Sequence, residues 1–292
     1  MPFRRSYARS SRYRRRSTRR YARRPTRSTT TRFRRRTTGN RYRSRRALLN
    51  ITSKKKSDNM LPYATNPDGT GGTPTSFGVP QTGGTFLWCA TARDRVSQDD
   101  DANASSLRSS DICFMRGLKE RIVLTPNDDV SWMWRRITFT MKGATDIFTP
   151  IANYIETSRG WNRLLVNSQN STTASAITTY VFEGAVNVDW LDTMTAKVDT
   201  SRVKLMSDKT RVLGSGNTRG RFHRYKFWYP MNKNLVYAND ESGETETAEV
   251  LSSRGRHGMG DYYVLDFFKC ADPSNPHLLD FNPEATLYWH EK

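Results

Sequence analysis

The chain has 292 residues, of which 35% are hydrophobic and 11% aromatic, and its formal net charge is +20. Twenty Arg and three Lys lie between Met1 and Lys56 with no Asp or Glu among them; the remainder holds 25 basic and 28 acidic residues, a net of −3. This partition excludes an evenly charged globule, and there is neither an apolar run long enough to span a membrane as a helix nor an apolar segment behind the basic start, as a secretory signal requires.

From the N-terminus, residues 1–46 form an Arg-rich arm. A like-charged run with few aliphatic residues cannot bury enough apolar surface to offset its ordering entropy, so this arm is expected to be disordered when free. It resembles an organelle transit peptide in composition but lacks the aliphatic face of an amphipathic helix. Phosphate is the natural partner, because each guanidinium presents a planar fork of donors and stays charged. The candidate nucleic-acid-binding residues are Arg4, Arg5, Arg9, Arg12, Arg14, Arg15, Arg16, Arg19, Arg20, Arg23, Arg24 and Arg27, then Arg32, Arg34, Arg35, Arg36, Arg41, Arg43, Arg45 and Arg46. Lys54, Lys55 and Lys56 extend the set. Phe3, Tyr7, Tyr13, Tyr21, Phe33 and Tyr42 interleave with the arginines, and Tyr7, Tyr13, Tyr21, Phe33 and Tyr42 are candidates for stacking on bases. Base faces are open in single strands and hidden in duplexes, which tilts the reading toward single-stranded nucleic acid. The runs Arg14–Arg16, Arg34–Arg36 and Lys54–Lys56 also fit nuclear-import signals. A tail that only solubilises, or one that tethers to anionic lipid, is the bland alternative.

The body, residues 47–292, reads as all-β. "ALLNITS" at 47–53 is expected to open it with a strand, and a Gly/Pro/Thr-rich loop follows at 64–84. Strands are expected at 85–93 and at 112–124, the second bending at Gly117; a polar loop lies between them. In "VSWMWRRITFTMKG" the apolar phase shifts between Trp134 and Ile137, which predicts a bulge near Arg135–Arg136. One or two short helices are expected in 147–166, a strand at 178–188, and a hairpin from 196–206 and 208–214. "FHRYKFWYP" alternates Tyr225, Phe227 and Tyr229 with Arg224, Lys226 and Trp228, a half-buried strand whose Trp228 is a further stacking candidate. "GDYYVLDFFKCA" at 260–271 is apolar on both faces, and "ATLYWHEK" ends the chain as a strand. Eight to ten strands joined by long loops predict a single jelly roll, an eight-stranded Greek-key sandwich.

The residues offer no chemistry. His223, His257, His277 and His290 never fall at metal-ligand spacing, and there is no Cys-x-x-Cys. Cys270 with His277 is a poor zinc pair. "GSGNTRGR" at 214–221 lacks the Gly-Lys-Ser/Thr of a phosphate cradle and reads as a turn. Asp99, Asp100 and Asp101 read as an acidic loop tip. No nucleophile elbow occurs. The expectation is a protein that is not an enzyme and has no catalytic residue, metal or cofactor. Cys89, Cys113 and Cys270 are too few and too scattered for a disulfide framework, so a reducing compartment is expected.

"KFWYPMNKNLVYANDESGETETAEVL" at Lys226–Leu251 and "DFFKCADPSNPHLLDFNPEATLYWHE" at Asp266–Glu291 resemble the C-terminal part of geminivirus coat proteins. Those proteins have longer, less Arg-dense N-termini and Cys/His elements that are absent here. "MPFRRSYARSSRYRRR", "NITSKKKSDNM" and "FMRGLKE" look more like genomovirus (gemycircularvirus-like) capsid proteins; circovirus capsids share the basic-arm design. The resemblance implies a jelly roll with eight main strands in two facing sheets and self-assembly into a small icosahedral shell. It also implies circular single-stranded DNA as cargo, an inward-pointing arm, host nuclear-import receptors as partners and no membrane. The location implied is the virion, and the host nucleus during assembly. The rival readings are a cellular nucleic-acid binder of the chromatin or ribosomal kind, and an RNA-packaging coat protein.

Overall fold

The computed structural model describes residues 45–66, 71–95, 104–143, 147–148, 153–214, 220–243 and 245–292. Its helices are α1 (Arg45–Thr52) and α2 (Thr172–Val181). Its strands are β1 (Lys54–Met60), β2 (Pro62–Ala64), β3 (Phe77–Pro80), β4 (Gly84–Cys89), β5 (Ile112–Pro126), β6 (Trp132–Met141) and β7 (Ile155–Thr157). They continue as β8 (Gly160–Leu165), β9 (Lys204–Leu213), β10 (His223–Ser242), β11 (Thr245–Ser252), β12 (Asp261–Cys270) and β13 (Leu278–Glu291).

Eight of these strands build two antiparallel sheets. One runs β1–β13–β5–β10, with β11 added at the β10 edge and β3 also pairing β13; the other runs β4–β12–β6–β9. Ranked along the chain, the first sheet holds the first, eighth, third and sixth of the eight, and the second holds the second, seventh, fourth and fifth. That interleaving is the jelly roll, two Greek keys wrapped so that the first and last strands lie side by side. The long connection between β6 and β9 holds α2 and the strands β7 and β8, and β2, from the segment after β1, pairs β8 to complete a small β2–β8–β7 sheet.

Side-chain alternation gives two cores. Phe86, Trp88, Trp132, Trp134, Leu118, Leu124, Val264, Phe281, Leu287 and Trp289 fill the space between the sheets. On the opposite face of the second sheet, Leu87, Ile137, Phe139, Leu265 and Phe267 pack under Ile177 and Val181 of α2 and under Phe182, Met194 and Val198. Among the described residues the first sheet is covered on one face: β5 and β13 alternate buried with partly exposed residues along most of their length.

Several expectations fail for identifiable reasons. The bulge predicted near Arg135–Arg136 is absent, since β6 pairs with β12 without a break from Trp132 to Met141. Its two apolar sets face two different cores, so no change of phase is needed. Of the segment 147–166 expected to hold one or two short helices, Ile147 and Phe148 are helical and 149–152 lie outside the described residues, but 155–165 form the β7–β8 hairpin; it turns through Gly160 at φ +92°, and Asn162 donates to the Thr157 hydroxyl and the Gly160 carbonyl. The strand expected at 178–188 is not formed: α2 takes its first four residues, and turns and isolated bridges take the rest. In α2 the Ser171 hydroxyl caps Ala174 N–H, and Ile177 and Val181 at i, i+4 share the buried face. The hairpin expected across 196–214 does not form: 204–213 is the single strand β9, which slips register against β6 between Thr138 and Phe139, and 196–203 is turn and coil. The opening strand at 47–53 is instead helix α1, as Ala-Leu-Leu favours; the strand begins at Lys54, where β13 supplies a partner. By contrast, the strands expected at 85–93, 112–124, 222–230, 260–271 and the C-terminus form as β4, β5, β10, β12 and β13.

Candidate nucleic-acid interface

The arm residues Arg4–Arg43, with Tyr7, Tyr13, Tyr21, Phe33 and Tyr42, lie outside the described residues, as do Asp99–Asp101 and the centre of the 214–221 turn. Arg45 and Arg46 belong to α1. The lysine run does not act as one. Lys54 and Lys55 are exposed on β1, but Lys56 is 4% exposed. Its ammonium lies 3.3 Å from Glu291 and donates to the Leu107 carbonyl and the Ser109 hydroxyl. Lys56 is therefore a correction: strand alternation turns it inward to a buried carboxylate, where phosphate cannot reach it.

The open face of the first sheet carries the other candidates. On β10, Arg224, Lys226 and Trp228 point away from the core while Tyr225, Phe227 and Tyr229 turn partly inward, as the alternation predicts. Cross-strand pairing sets Lys119 opposite Trp228, Arg121 opposite Lys226 and Val123 opposite Arg224. On the far side of β5, β13 adds Glu284 beside Arg121, Thr286 beside Lys119 and Tyr288 beside Gly117. Lys55 on β1 and Arg116 at a bulge in β5 complete six cations, facing the carboxylates of Asp280 and Glu284. Among the described residues, Lys119, Arg121, Arg224 and Lys226 form no ion pair. His290, at one end of this face, has its pKa lowered by burial and then by the charges of Arg116 and Lys55.

Gly117 shapes the centre. Here the β5–β13 register slips between Tyr288 and Trp289, and the β5–β10 register slips between Pro230 and Lys233. Gly117 has φ +158°, and a Cβ on it would meet the Tyr229 carbonyl at 2.5 Å and the Trp228 ring at 2.8 Å. The indole therefore lies over bare backbone. It meets Tyr288 edge-on with ring centroids 5.8 Å apart. Trp228 is 50% exposed, whereas Trp88, Trp132, Trp134 and Trp289 are at most 2% exposed.

Sequence reasoning placed Trp228, Arg224 and Lys226 together because one strand carries them. It missed Lys119, Arg121, Gly117 and Tyr288, which join them only through pairing between distant segments. The alternation of Lys119, Arg121 and Val123 with Leu118, Glu120 and Ile122 was a usable signal for an outward cationic row on β5.

The conspicuous ionisable cluster lies elsewhere, between the sheets. Arg136 makes a two-pronged contact with Asp266 at 2.6 and 2.7 Å and reaches Glu120 at 2.6 Å. Arg163 bonds Asp266 at 2.9 Å and lies 4.5 Å from the Trp88 ring centroid. Burial alone would raise Asp266, but the charge and hydrogen bonds of Arg136, then the charge of Arg163, hold it below its ordinary value. All four charged side chains are at most 2% exposed, so the cluster ties the sheets together and meets no solute. His277 hydrogen-bonds Asp128 through Nδ1 at 2.5 Å, and its Nε2 lies 3.5 Å from Asp272 without a hydrogen bond. Among the described residues no group of three or more His, Cys, Asp or Glu is placed to hold a metal. No described helix is long and apolar enough to cross a membrane. The three cysteines are free and buried.

No family model matches the chain. No curated protein matches it either. Among solved structures, the VP1 protein of Trichodysplasia spinulosa-associated polyomavirus, determined in complex with sialylated precision glycooligomers, aligns at 7% identity over 82% of this chain and 76% of that one, with a TM-score of 0.12. A superposition at that score carries no argument; the jelly roll rests on the strand order itself.

Proposed function

We propose that this chain is a viral capsid protein of the genomovirus kind, which assembles into a small icosahedral shell and packages circular single-stranded DNA through its Arg-rich arm. The protein is structural, not an enzyme. Its partners are the genome, further copies of itself and host nuclear-import receptors, and its places are the virion and, during assembly, the host nucleus. The carrying observation is the division of charge: +23 in the first 56 residues, and −3 in the rest, on a jelly-roll body. The arm's self-repulsion is relieved by an enclosed polyanion, and a near-neutral body lets identical walls approach closely. The sequence resemblance supplies the nature of the cargo.

Electron microscopy of the purified protein, with nuclease typing of its contents, tests this. Closed particles holding DNase-sensitive, RNase-resistant single strands are expected. Removal of Met1–Ser44, which stops before α1, should leave shells with little DNA. Monomers or small oligomers with no closed particles would favour a cellular binder, and RNase-sensitive cargo an RNA coat protein. Equal DNA in truncated and intact shells would remove the arm from packaging.

A further inference from the structure

We propose that the open face of the β1–β13–β5–β10 sheet is a second nucleic-acid site, one that takes unpaired bases on Trp228 and Tyr288 and the adjoining phosphates on Lys119, Arg121, Arg224 and Lys226. It rests on the nucleic-acid reading above and narrows its ligand to single strand.

Three independent features converge there. The first is an aromatic pair held in water. Trp228 is 50% exposed yet fixed from two sides, over the bare backbone of Gly117 and against the edge of Tyr288. A ring already held in place loses little freedom when a base stacks on it. The second is charge. The face sets Lys55, Arg116, Lys119, Arg121, Arg224 and Lys226 against Asp280 and Glu284, and four of those cations form no ion pair among the described residues. An anionic occupant is thereby favoured over an apolar protein surface. The third is spacing. Arg224, Lys226 and Trp228 recur every second residue, about 6.7 Å apart along the strand, and Arg121 and Lys119 stand beside the last two on β5. The result is a strip whose rings are flanked by cations, with Lys119 beside Trp228 and Arg224, Lys226 and Arg121 further along, suited to a backbone running along β10. A duplex would meet only the cations, because its base faces are hidden; the rings act only on a single strand.

The test uses the full chain. Ultraviolet crosslinking to a short oligodeoxythymidylate, with mapping of the joined peptides, should mark the segments around Trp228 and Tyr288 as well as the arm. Affinity is then compared for oligodeoxythymidylate and for an abasic strand of equal charge, at salt high enough to weaken the arm's contribution. Trp228→Ala should lower the affinity for the base-bearing strand about tenfold and leave the abasic strand unchanged, while Trp228→Phe restores most of the difference. A Lys119→Gln/Lys226→Gln pair should weaken both strands alike and reduce the salt dependence, a result that loss of fold would not give. Crosslinks confined to the arm, together with unchanged binding in Trp228→Ala, would overturn the sheet site and leave the packaging reading standing. Absence of any crosslink or binding, in arm and sheet alike, would overturn both.

Discussion

Arg136 shows how one side chain constrains this fold. It sits on the inward face of β6, in the row of Trp132 and Trp134, where an apolar residue would be expected. Its charge is tolerable there because Asp266 from the same sheet and Glu120 from the facing sheet take up its donors, with Trp134 Nε1 also donating to Asp266 at 2.8 Å. Arg136→Met should therefore cost about 3–5 kcal/mol, since two carboxylates would then share the Arg163 charge alone; urea unfolding measures it, and a loss under 1 kcal/mol would show the cluster to be dispensable. Two carboxylates give opposite pH responses. Asp266 is held low by Arg136, so its contribution is full above the unfolded value of about 3.9 and is lost as pH falls through the folded one. Asp261 is raised to about 6 because burial outweighs the donors of Ser252, so its ionisation weakens the fold as pH rises from about 4 through 6. Melting temperature followed against pH should show the second effect, and Asp261→Asn should flatten the profile between pH 4 and 6.

At the scale of elements, what the sequence disclosed depended on how many faces were buried. β10, half-covered, alternates cleanly and was readable, and β12, covered on both faces, was readable as a continuous apolar run. β6 was misread because Trp132 and Trp134 serve the inter-sheet core while Ile137, Phe139 and Met141 serve the one beneath α2; two correct patterns look like a slipped single one. Helix α2 escaped notice because Thr172, Thr173, Ile177, Thr178, Thr179 and Val181 are β-branched, and only tertiary burial of Ile177 and Val181 overrides that preference. The helix then depends on its cap: Ser171→Ala should cost about 1 kcal/mol, and a smaller loss by denaturant titration would show that packing alone holds it. The candidate interface was legible only as far as one strand could carry it. Lys56 was misassigned because a charge run gives no sign of which member alternation turns inward. Gly117 was recognised as a bend but not as the seat for Trp228. Gly117→Ala should destabilise by about 1–3 kcal/mol, as the backbone there is one that a side chain strains, and should also move the Trp228 emission spectrum.

For the whole molecule, the polarity of charge along the chain sets how binding responds to ions. A neutral jelly roll with charge only on one sheet face would bind nucleic acid with a shallow salt dependence; a chain whose first 56 residues carry +23 would not. Each cation that meets a phosphate releases condensed counterion, and on a single strand the logarithm of affinity falls by roughly 0.7 per contact for each unit of log salt. In the proposed icosahedral shell the effect would be multiplied, because roughly 60 copies would bring roughly 1,400 arm charges into one interior. The two proposed sites are then separable by slope. Replacing Arg14, Arg15, Arg16, Arg34, Arg35 and Arg36 by Gln should reduce the salt slope by about 4 while leaving the preference for base-bearing over abasic strands intact, because Trp228 and Tyr288 are untouched. Fluorescence anisotropy of a labelled oligodeoxythymidylate across a salt series measures both quantities at once. An unchanged slope would mean that these arginines do not neutralise phosphate, and the arm would then have to be assigned to another partner.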